Sequence, residues 1–287
     1  MTDRASFSTM PSIQNLLAQA AQVLAATSES PVLDAEVLLC HVLQQNRPFL
    51  RAWCDKNVGE SESAHFQKLC GQRQQGHPIA YLVGQREFWS RDFLVNPAVL
   101  IPRPDTELLI ELALPLIPLG TPCQILDLGT GSGIIGITLA AERPKSQVVA
   151  ADFSLSALAV AQANANHHQL VNIRFYHSDW FNSLPPQRFQ IIVSNPPYIA
   201  PDDTHLQQGD IRFEPQSALI AAKNGLQDIQ TITRSAKNWL AANGCLLIEH
   251  GYDQETAVQA LFIACGYQNV QTHKDLSGQP RVTSGTI

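Results

Sequence analysis

The chain is poor in charge and has no excess of basic residues. Asp, Glu, Lys and Arg make up 15% of its 287 residues, and the formal net charge is −6 at pH 7. Proteins that bind nucleic acid by releasing counterions usually carry a basic face. The charge therefore argues against stable nucleic-acid binding. Hydrophobic residues make up 45%, which is typical of a globular protein, and the length is sufficient for two domains.

The sequence also lacks the patterns of a metal site, a disulfide scaffold and a membrane anchor. Its six cysteines form no CxxC pair and have no histidine at metal-ligand spacing. We expect free, mostly buried thiols and no metal. The chain does not open with a basic stretch followed by an apolar one, and no run approaches the roughly 20 apolar residues needed to cross a bilayer. These absences predict a cytoplasmic protein without a membrane partner.

The first eighty-odd residues have helical periodicity. Apolar residues recur at three- and four-residue spacing between Ile13 and Leu24. A second apolar stripe follows Ser30-Pro31, which is typical of an N-cap and a proline at the first helical position. A third helix is predicted over 63–75 and is closed by Gly76. Residues 1–84 are therefore predicted to form a helical domain.

Residues 85–103 are predicted to form a β-hairpin that links two domains. The segment 88–95 has an extended pattern, and Asn96-Pro97 is typical of a turn. Residues 99–101 are interpreted as the returning strand. The chain is expected to leave the hairpin at Pro102.

From about residue 104 onward, predicted helices and strands alternate. A helix is predicted over 106–116, and strands are predicted over 124–128, 147–151, 173–176, 191–194 and 245–249. Such alternation predicts a parallel sheet covered by helices on both faces. Ligands bind this fold class beyond the carboxyl ends of the strands, where strand order reverses. Residues 270–272 and 281–283 are expected to pair as an antiparallel edge.

A glycine-rich turn follows the first of these strands. It consists of Gly129, Thr130, Gly131, Ser132 and Gly133. Glycines permit a tight turn and close approach of a ligand to the backbone, and the helix that follows presents free N–H groups. Residues 131–136 also fit the dinucleotide fingerprint GxGxxG, and Asp152 ends the next strand where an acid that binds ribose belongs. NAD binding is therefore an open alternative at this point.

The fourth core strand ends in a stiff loop. It consists of Asn195, Pro196, Pro197 and Tyr198. Two consecutive prolines fix two φ angles and remove two hydrogen-bond donors, and each favours extended geometry in the residue before it. The loop therefore presents carbonyl groups without local partners beside the glycine turn.

This loop suits methyl transfer to a planar nitrogen. An amide or exocyclic amino nitrogen is a poor nucleophile, so a site must accept hydrogen bonds from its N–H groups to aim it. We interpret the Asn195 side-chain oxygen and the Pro196 carbonyl as these acceptors, and Tyr198 as a surface for the planar substrate group. A hydride-transfer enzyme has no use for this arrangement, which removes the NAD alternative.

The two motifs together resemble a class I methyltransferase of the amino-methylating type, a group that includes DNA adenine, rRNA guanine and protein glutamine enzymes. Further segments are similar to the PrmC/HemK family, namely 73–84, 87–88, 101–107, 213–215, 218–219, 225–226, 249–251 and 275–282. The resemblance covers the chain from about residue 11 to its end. It implies an N-terminal helical bundle over 1–84, a β-hairpin linker over 85–103 and a Rossmann-like α/β methyltransferase domain over 104–287.

The resemblance implies N5-methylation of the glutamine in the Gly-Gly-Gln motif of class 1 peptide-chain release factors. S-adenosyl-L-methionine is then the methyl donor and S-adenosylhomocysteine the product. Carried over residue by residue, 129–133 cradle the methionine part of the cofactor, Asp152 holds its ribose, and Trp180 lies against adenine. Asn195 contacts cofactor and substrate. The implied roles of the loop are substrate binding by Asn195, Pro196, Pro197 and Tyr198, and catalysis by Asn195, Pro196 and Tyr198.

The resemblance also implies that the helical domain docks the release factor and that the enzyme acts as a monomer. The chain departs from the family pattern in one loop, where the family commonly has glycine near Ala222 and aspartate near Asn224. The departure affects only the expected geometry of that loop, since no catalytic role attaches to it.

Two other functions compete with this interpretation. A DNA or rRNA methyltransferase would need a basic groove and a target-recognition module, and the sequence indicates neither. A cofactor-binding or docking module without enzyme activity would not need an intact Asn-Pro-Pro-Tyr loop. Both remain alternatives, and the protein glutamine methyltransferase is the preferred hypothesis.

Overall fold

The computed structural model describes residues 10–287, and their contacts form two compact units. The first contains residues 10–84 together with Gly209–Phe213, and the second contains Gln85–Gln208 and Glu214–Ile287. The hairpin predicted as a linker thus has its contacts in the second unit. Residues 1–9 of the predicted helical domain lie outside the described residues.

Five α-helices form most of the described part of the first unit, and Gly209–Phe213 adds a short 3-10 helix. The α-helices are α1 (Ile13–Leu24), α2 (Pro31–Leu43), α3 (Arg47–Ala52), α4 (Glu60–Gln74) and α5 (Ile79–Val83). Ser12 caps α1 by accepting a hydrogen bond from the N–H of Asn15 at 3.3 Å. Ser30 occupies the N-cap position of α2 as predicted, but its hydroxyl donates to Asp34 instead of capping the backbone. Gly76 follows α4 with a φ of 95°.

Arg73 at the end of α4 ties the segment Gly209–Phe213 into the first unit. Its Nε atom donates to Asp34 at 2.7 Å, and its Nη1 atom donates to Asp210 at 3.0 Å and to the His77 carbonyl at 3.2 Å. The Arg73 side chain is only 13% exposed. Charge-assisted hydrogen bonds of a largely buried guanidinium are among the stronger polar contacts, so this residue anchors a segment that is remote in sequence.

The predicted hairpin exists, but its predicted turn is wrong. Strands β1 (Gln85–Phe88) and β2 (Arg91–Leu94) pair antiparallel, and residues 99–101 form no strand. The turn is Trp89-Ser90, with φ angles of 53° and 54°, which side chains rarely adopt. Two carboxylates hold it, because Glu107 accepts from the Trp89 N–H at 2.9 Å and Glu87 from the Ser90 N–H at 2.6 Å.

A seven-stranded sheet forms the centre of the second unit. Its strands are β3 (Gln124–Leu128), β4 (Gln147–Asp152), β5 (Ile173–His177), β6 (Phe189–Ser194), β7 (Leu240–Glu249), β8 (Gln268–Lys274) and β9 (Pro280–Thr286), in the order β5-β4-β3-β6-β7-β9-β8. Strand β9 is antiparallel to both neighbours, and the other pairs are parallel. The predicted pairing near Thr272 and Thr283 is confirmed. Of these two strands, β8 is at an edge of the sheet and β9 lies inside it.

Helices cover both faces of this sheet, as predicted. They are α6 (Glu107–Ala113), α7 (Ile134–Glu142), α8 (Leu155–His167), α9 (Gln227–Ala236) and α10 (Glu255–Ala264). Alternate residues of β3 enter two apolar clusters: Ile125 packs in one with α6 and α7, and Leu126 packs in the other with α9 and α10. The chain runs from β3 outward to β5 and then returns to β6 on the other side of β3. Strand order therefore reverses between β3 and β6, where such folds bind ligands.

The described residues contain no helix that is both long and apolar enough to cross a bilayer. Within residues 10–287 there is also no group of three His, Cys, Asp or Glu side chains that could hold a metal ion. All six cysteines are free thiols.

Candidate active site

A cavity of about 410 Å³ lies where strand order reverses, at the carboxyl ends of β3, β4 and β6. This volume is within the range of small-molecule sites. The predicted site residues that line it are Gly129, Thr130, Gly131, Ser132, Asp152, Trp180, Asn195 and Pro197. Gly133, Pro196 and Tyr198 are not among the lining residues. The structure thus brings the glycine loop, Asp152 and Asn195 to one cavity.

The glycine loop needs its glycines for conformation and for space. Gly129, Gly131 and Gly133 have φ angles of 70°, 56° and 89°, which favour glycine strongly. A Cβ atom at Gly133 would also lie 2.6 Å from the Cδ1 atom of Ile137. The bare backbone of the loop therefore faces the cavity directly before α7 begins at Ile134.

Asp127, at 0% exposure, holds this loop from below. Its Oδ2 atom accepts from the Thr130 hydroxyl at 2.6 Å and from the Gly136 N–H at 2.9 Å, while its Oδ1 atom has no partner. Burial raises the pKa of Asp127 to about 7, although these two hydrogen bonds lower it. One carboxyl group thus connects the loop to the first turn of α7.

Because Asp127 is buried, we expect the free energy of unfolding to depend on pH. The folded chain keeps a proton on Asp127 up to about pH 7, whereas an unfolded chain releases it near the usual pKa of about 3.9. The folded state therefore binds more protons between these values, and each pH unit lowers its free energy of unfolding by about 1.4 kcal/mol. Urea unfolding at about pH 4.5, 5.5 and 6.5 should show this decline in wild type and lose this contribution in Asp127→Asn. A constant difference between the two proteins would contradict the prediction.

Asp152 places its carboxylate at the cavity beside the glycine loop. The Oδ2 atom accepts from the Gly131 N–H at 2.8 Å, and the Oδ1 atom accepts from the Ser154 N–H at 2.8 Å. Burial raises the pKa of Asp152, and these backbone donors lower it. Each carboxylate oxygen can accept a further hydrogen bond. A ribose with two adjacent hydroxyl groups matches this acceptor pair.

Trp180 forms a flat wall of the cavity in a rarely populated backbone conformation. Its φ is 47°, and the Ser178 hydroxyl holds the turn by donating to the Trp180 carbonyl at 2.8 Å. The ring lies over Gly129, where a Cβ atom would be 3.4 Å from Cζ3. Burial raises the pKa of Asp228, and the Trp180 side chain lowers it. Strained residues of this kind concentrate at ligand sites.

The Asn-Pro-Pro-Tyr loop is held at both ends. Ser194, just before it, donates from its hydroxyl to the Leu128 carbonyl at 2.8 Å and so ties β6 to β3. Asn195 donates from Nδ2 to the Thr106 hydroxyl at 3.1 Å. The Tyr198 carbonyl accepts from Gln254 at 3.0 Å. The Tyr198 hydroxyl donates to Glu249 at 3.3 Å, so this hydroxyl bonds to a buried acid.

Sequence reasoning missed one wall of the cavity. The wall consists of Ala98, Val99, Leu100, Pro215, Ser217, Ala218 and Asp228. Glu214, whose side chain is fully buried, connects its first two segments by accepting from the Ile101 N–H at 3.1 Å and from Arg103. The sequence indicates the segments 101–107 and 213–215 only through their resemblance to the family. No spacing rule indicated that two segments more than a hundred residues apart would meet.

The residues present fit S-adenosylmethionine. The bare backbone of the glycine loop suits the amino-acid end, the Asp152 carboxylate suits the ribose hydroxyls, and the Trp180 ring suits adenine. All three groups line a single cavity. NAD, the other cofactor that fits the glycine turn, has no use for the Asn-Pro-Pro-Tyr loop beside it.

Comparison with known proteins gives concordant matches. The family model "PrmC N-terminal domain" matches residues 15–84, and the model "Methyltransferase small domain" matches residues 105–216. The chain is 47% identical over 276 residues to the release factor glutamine methyltransferase of Shewanella oneidensis, with 95% of this chain and 96% of that protein covered. It is 48% identical over 272 residues to the enzyme of the same name from Escherichia coli K12, covering 95% and 98%.

A solved structure shows the same fold at low identity. The 16S rRNA N2 methyltransferase of T. thermophilus, in complex with AdoMet and guanosine, superposes with a TM-score of 0.52 and 20% identity. The match covers 70% of this chain and 49% of that protein. The predicted Rossmann-like methyltransferase fold is confirmed.

Proposed function

We propose how this site works from the premise that the chain belongs to the release factor glutamine methyltransferase family. It is an S-adenosylmethionine-dependent methyltransferase that modifies the side-chain amide nitrogen, N5, of a glutamine in peptide-chain release factors. We take that glutamine to be the one in the Gly-Gly-Gln motif of class 1 factors. The observation that carries this proposal is the position of Asn195, which lines the same cavity as the glycine loop.

The cofactor part of the site is assigned to the residues around the glycine loop. S-adenosylmethionine, when bound, supplies a methyl group on a positively charged sulfur. Residues 129–132 hold its amino-acid end through backbone groups, and Asp152 accepts from its ribose hydroxyls. Trp180 packs on its adenine, and Asp179 and Asp228 line the same cavity.

The substrate part of the site is assigned to the loop 195–198. The Asn195 Oδ1 atom and the Pro196 carbonyl accept the two hydrogens of the glutamine amide and aim its nitrogen at the methyl group. The same two oxygens stabilise the positive charge that develops on nitrogen. The nitrogen loses a proton readily once it is alkylated, so water suffices as acceptor. Tyr198, bound to Glu249, fixes the far end of the loop.

The first unit is assigned to binding the release factor. Trp53 lies beside Phe49 with 59% of its surface exposed, and the Lys56 ammonium lies 5.3 Å from the centre of the Phe49 ring. An exposed tryptophan with a neighbouring aromatic and a cation is typical of protein-binding surfaces. We propose that the enzyme binds the release factor as a cytoplasmic monomer and does not bind nucleic acid stably.

The proposed function is tested by asking which atom receives the methyl group. Purified enzyme is incubated with methyl-labelled S-adenosylmethionine and a recombinant class 1 release factor. A copy of the factor with its Gly-Gly-Gln glutamine replaced is the control. We expect mass spectrometry of the digest to find one added methyl on that glutamine and none on the replaced copy. Label on rRNA or DNA, with none on the factor, would move the function to a nucleic-acid methyltransferase.

A further inference from the structure

A buried polar cluster lies beneath the substrate loop. Thr106, directly before α6, and Glu249, the last residue of β7, are 0% and 1% exposed. The Thr106 hydroxyl accepts from Asn195 Nδ2 at 3.1 Å, and Glu249 Oε1 accepts from the Tyr198 hydroxyl at 3.3 Å. The Thr106 hydroxyl also lowers the pKa of Glu249, as a donor directed at the carboxylate does. The two side chains therefore connect the first and last residues of the loop.

The chemistry of these groups fixes the direction of each hydrogen bond. An ionised carboxylate only accepts, and a threonine hydroxyl has one hydrogen with two lone pairs. When the Thr106 hydrogen points to Glu249, the Thr106 oxygen can only accept from Asn195. The Asn195 amide must then turn its Nδ2 atom to Thr106, and its Oδ1 atom is directed away from Thr106.

We propose that Thr106 and Glu249 are positioning residues that fix the orientation of the Asn195 amide, so that its oxygen and not its nitrogen meets the substrate. The proposal rests on the proposed function, since it concerns the glutamine amide as substrate. The opposite orientation would place the Asn195 N–H groups against the N–H groups of the glutamine. Neither side would then have an acceptor, and the nitrogen would not be held for attack.

The burial of Glu249 lowers the stability of the fold, and a positioning role explains why a carboxyl group is placed there. Its Oε2 atom has no hydrogen-bond partner, and an unpaired buried acceptor destabilises a fold by about 1–3 kcal/mol. Burial raises the pKa of Glu249 to about 7, and the Thr106 and Tyr198 hydroxyls lower it. Assays at about pH 8.5 therefore measure the enzyme with Glu249 ionised. An apolar pair at 106 and 249 would fill the same space without this penalty but would not orient an amide.

The test is a hydroxyl-deletion series at Thr106 in the full chain, assayed on a recombinant release factor. Thr106→Val keeps the shape and removes the hydroxyl, and Thr106→Ser keeps the hydroxyl. We expect Thr106→Val to lower kcat by about 10-fold to 100-fold, with the KM for the release factor unchanged within about 3-fold. Thr106→Ser should restore most of the kcat. The dissociation constant for S-adenosylmethionine, measured by calorimetry without any substrate, should stay near that of wild type.

Thr233→Val is the matched control. Thr233 is also 0% exposed, and its hydroxyl donates one hydrogen bond, to the Ile229 carbonyl in α9. Thr233→Val removes a buried hydroxyl, as Thr106→Val does. The Thr233 hydroxyl has no bond to the substrate loop, so kcat of this variant should remain that of wild type.

The outcomes separate the inference from the proposed function. Wild-type enzyme that leaves the release factor unlabelled overturns the function and this inference with it. Wild-type activity together with an undiminished kcat in folded Thr106→Val overturns only the inference. If Thr106→Val does not fold, Thr106→Ala replaces it, because alanine also removes the hydroxyl and adds no atom to the site. A kcat in Thr106→Ala equal to wild type would then overturn the inference, and a drop of about 10-fold or more at unchanged KM would support it.

Discussion

Replacement of Asn195 by alanine is expected to lower kcat by about two to three orders of magnitude, the usual effect of removing one preorganised polar group at a reacting centre. Asn195 lines the same cavity as the glycine loop. Its loss removes one of the two acceptors assigned to the glutamine amide, so both the aim of the nitrogen and the stabilisation of its charge are lost. The measurement is single-turnover methyl transfer to a release factor.

Two controls make this result specific. The dissociation constant for S-adenosylmethionine should change by less than about 10-fold, because the glycine loop, Asp152 and Trp180 remain. Asn166→Ala, on the exposed side of α8, should leave kcat unchanged. Activity within a few-fold of wild type in Asn195→Ala would remove Asn195 from the proposed mechanism. A large loss of cofactor affinity would show instead that Asn195 serves the cofactor.

The second large effect is expected for Gly225→Ala. A Cβ atom at residue 225 would lie 2.0 Å from the Tyr198 carbonyl oxygen and 2.6 Å from the Gln254 Nε2 atom that binds this carbonyl. One of the two atoms is backbone, so the loop 195–198 has to move. We expect kcat to fall by about 100-fold, since small displacements at a reacting centre have effects of this size. A stability loss of about 2 kcal/mol or more should accompany it.

The chain offers a control with the same backbone angle. Gly225 has a φ of 79° and Gly278, in the turn between β8 and β9, has a φ of 81°, but a Cβ atom at Gly278 would meet nothing within 4 Å. Gly278→Ala therefore measures the strain of a left-handed alanine alone, about 1 kcal/mol. Equal losses of activity in the two variants would show that strain, and not the collision with Tyr198, affects the enzyme.

The sequence predicted regular elements well wherever a local rule decides them. The stripe from Ile13 to Leu24 became α1, and the predicted strands 124–128 and 191–194 are β3 and most of β6. The hairpin turn was misplaced because positive φ angles are usually signalled by glycine or asparagine. Trp89-Ser90 contains neither, and its turn depends on Glu107, which is 18 residues away from Trp89.

The candidate site was predictable only where it coincides with strand ends. Gly129, Asp152 and Asn195 each follow or end a core strand, so strand order alone brings them to one cavity. The wall at 98–100 and 215–218 does not obey such a rule, because Glu214 connects it by long-range hydrogen bonds. Thr106 likewise acquires its contact with Asn195 across 89 positions of sequence. Long-range polar contacts of this kind leave no periodic signal in a sequence.

The place of β9 constrains the order in which this sheet is assembled. Strand β8 leaves the ribosome before β9, yet its sheet neighbour is β9, which in turn pairs with β7. Strand β8 therefore has nothing to join until β9 has been synthesised. The two strands are close in sequence, and a hairpin can close within microseconds, so they are expected to pair first and to dock on β7 together. Until then the edge of β7 exposes unpaired backbone N–H and C=O groups that strands of other chains can pair with.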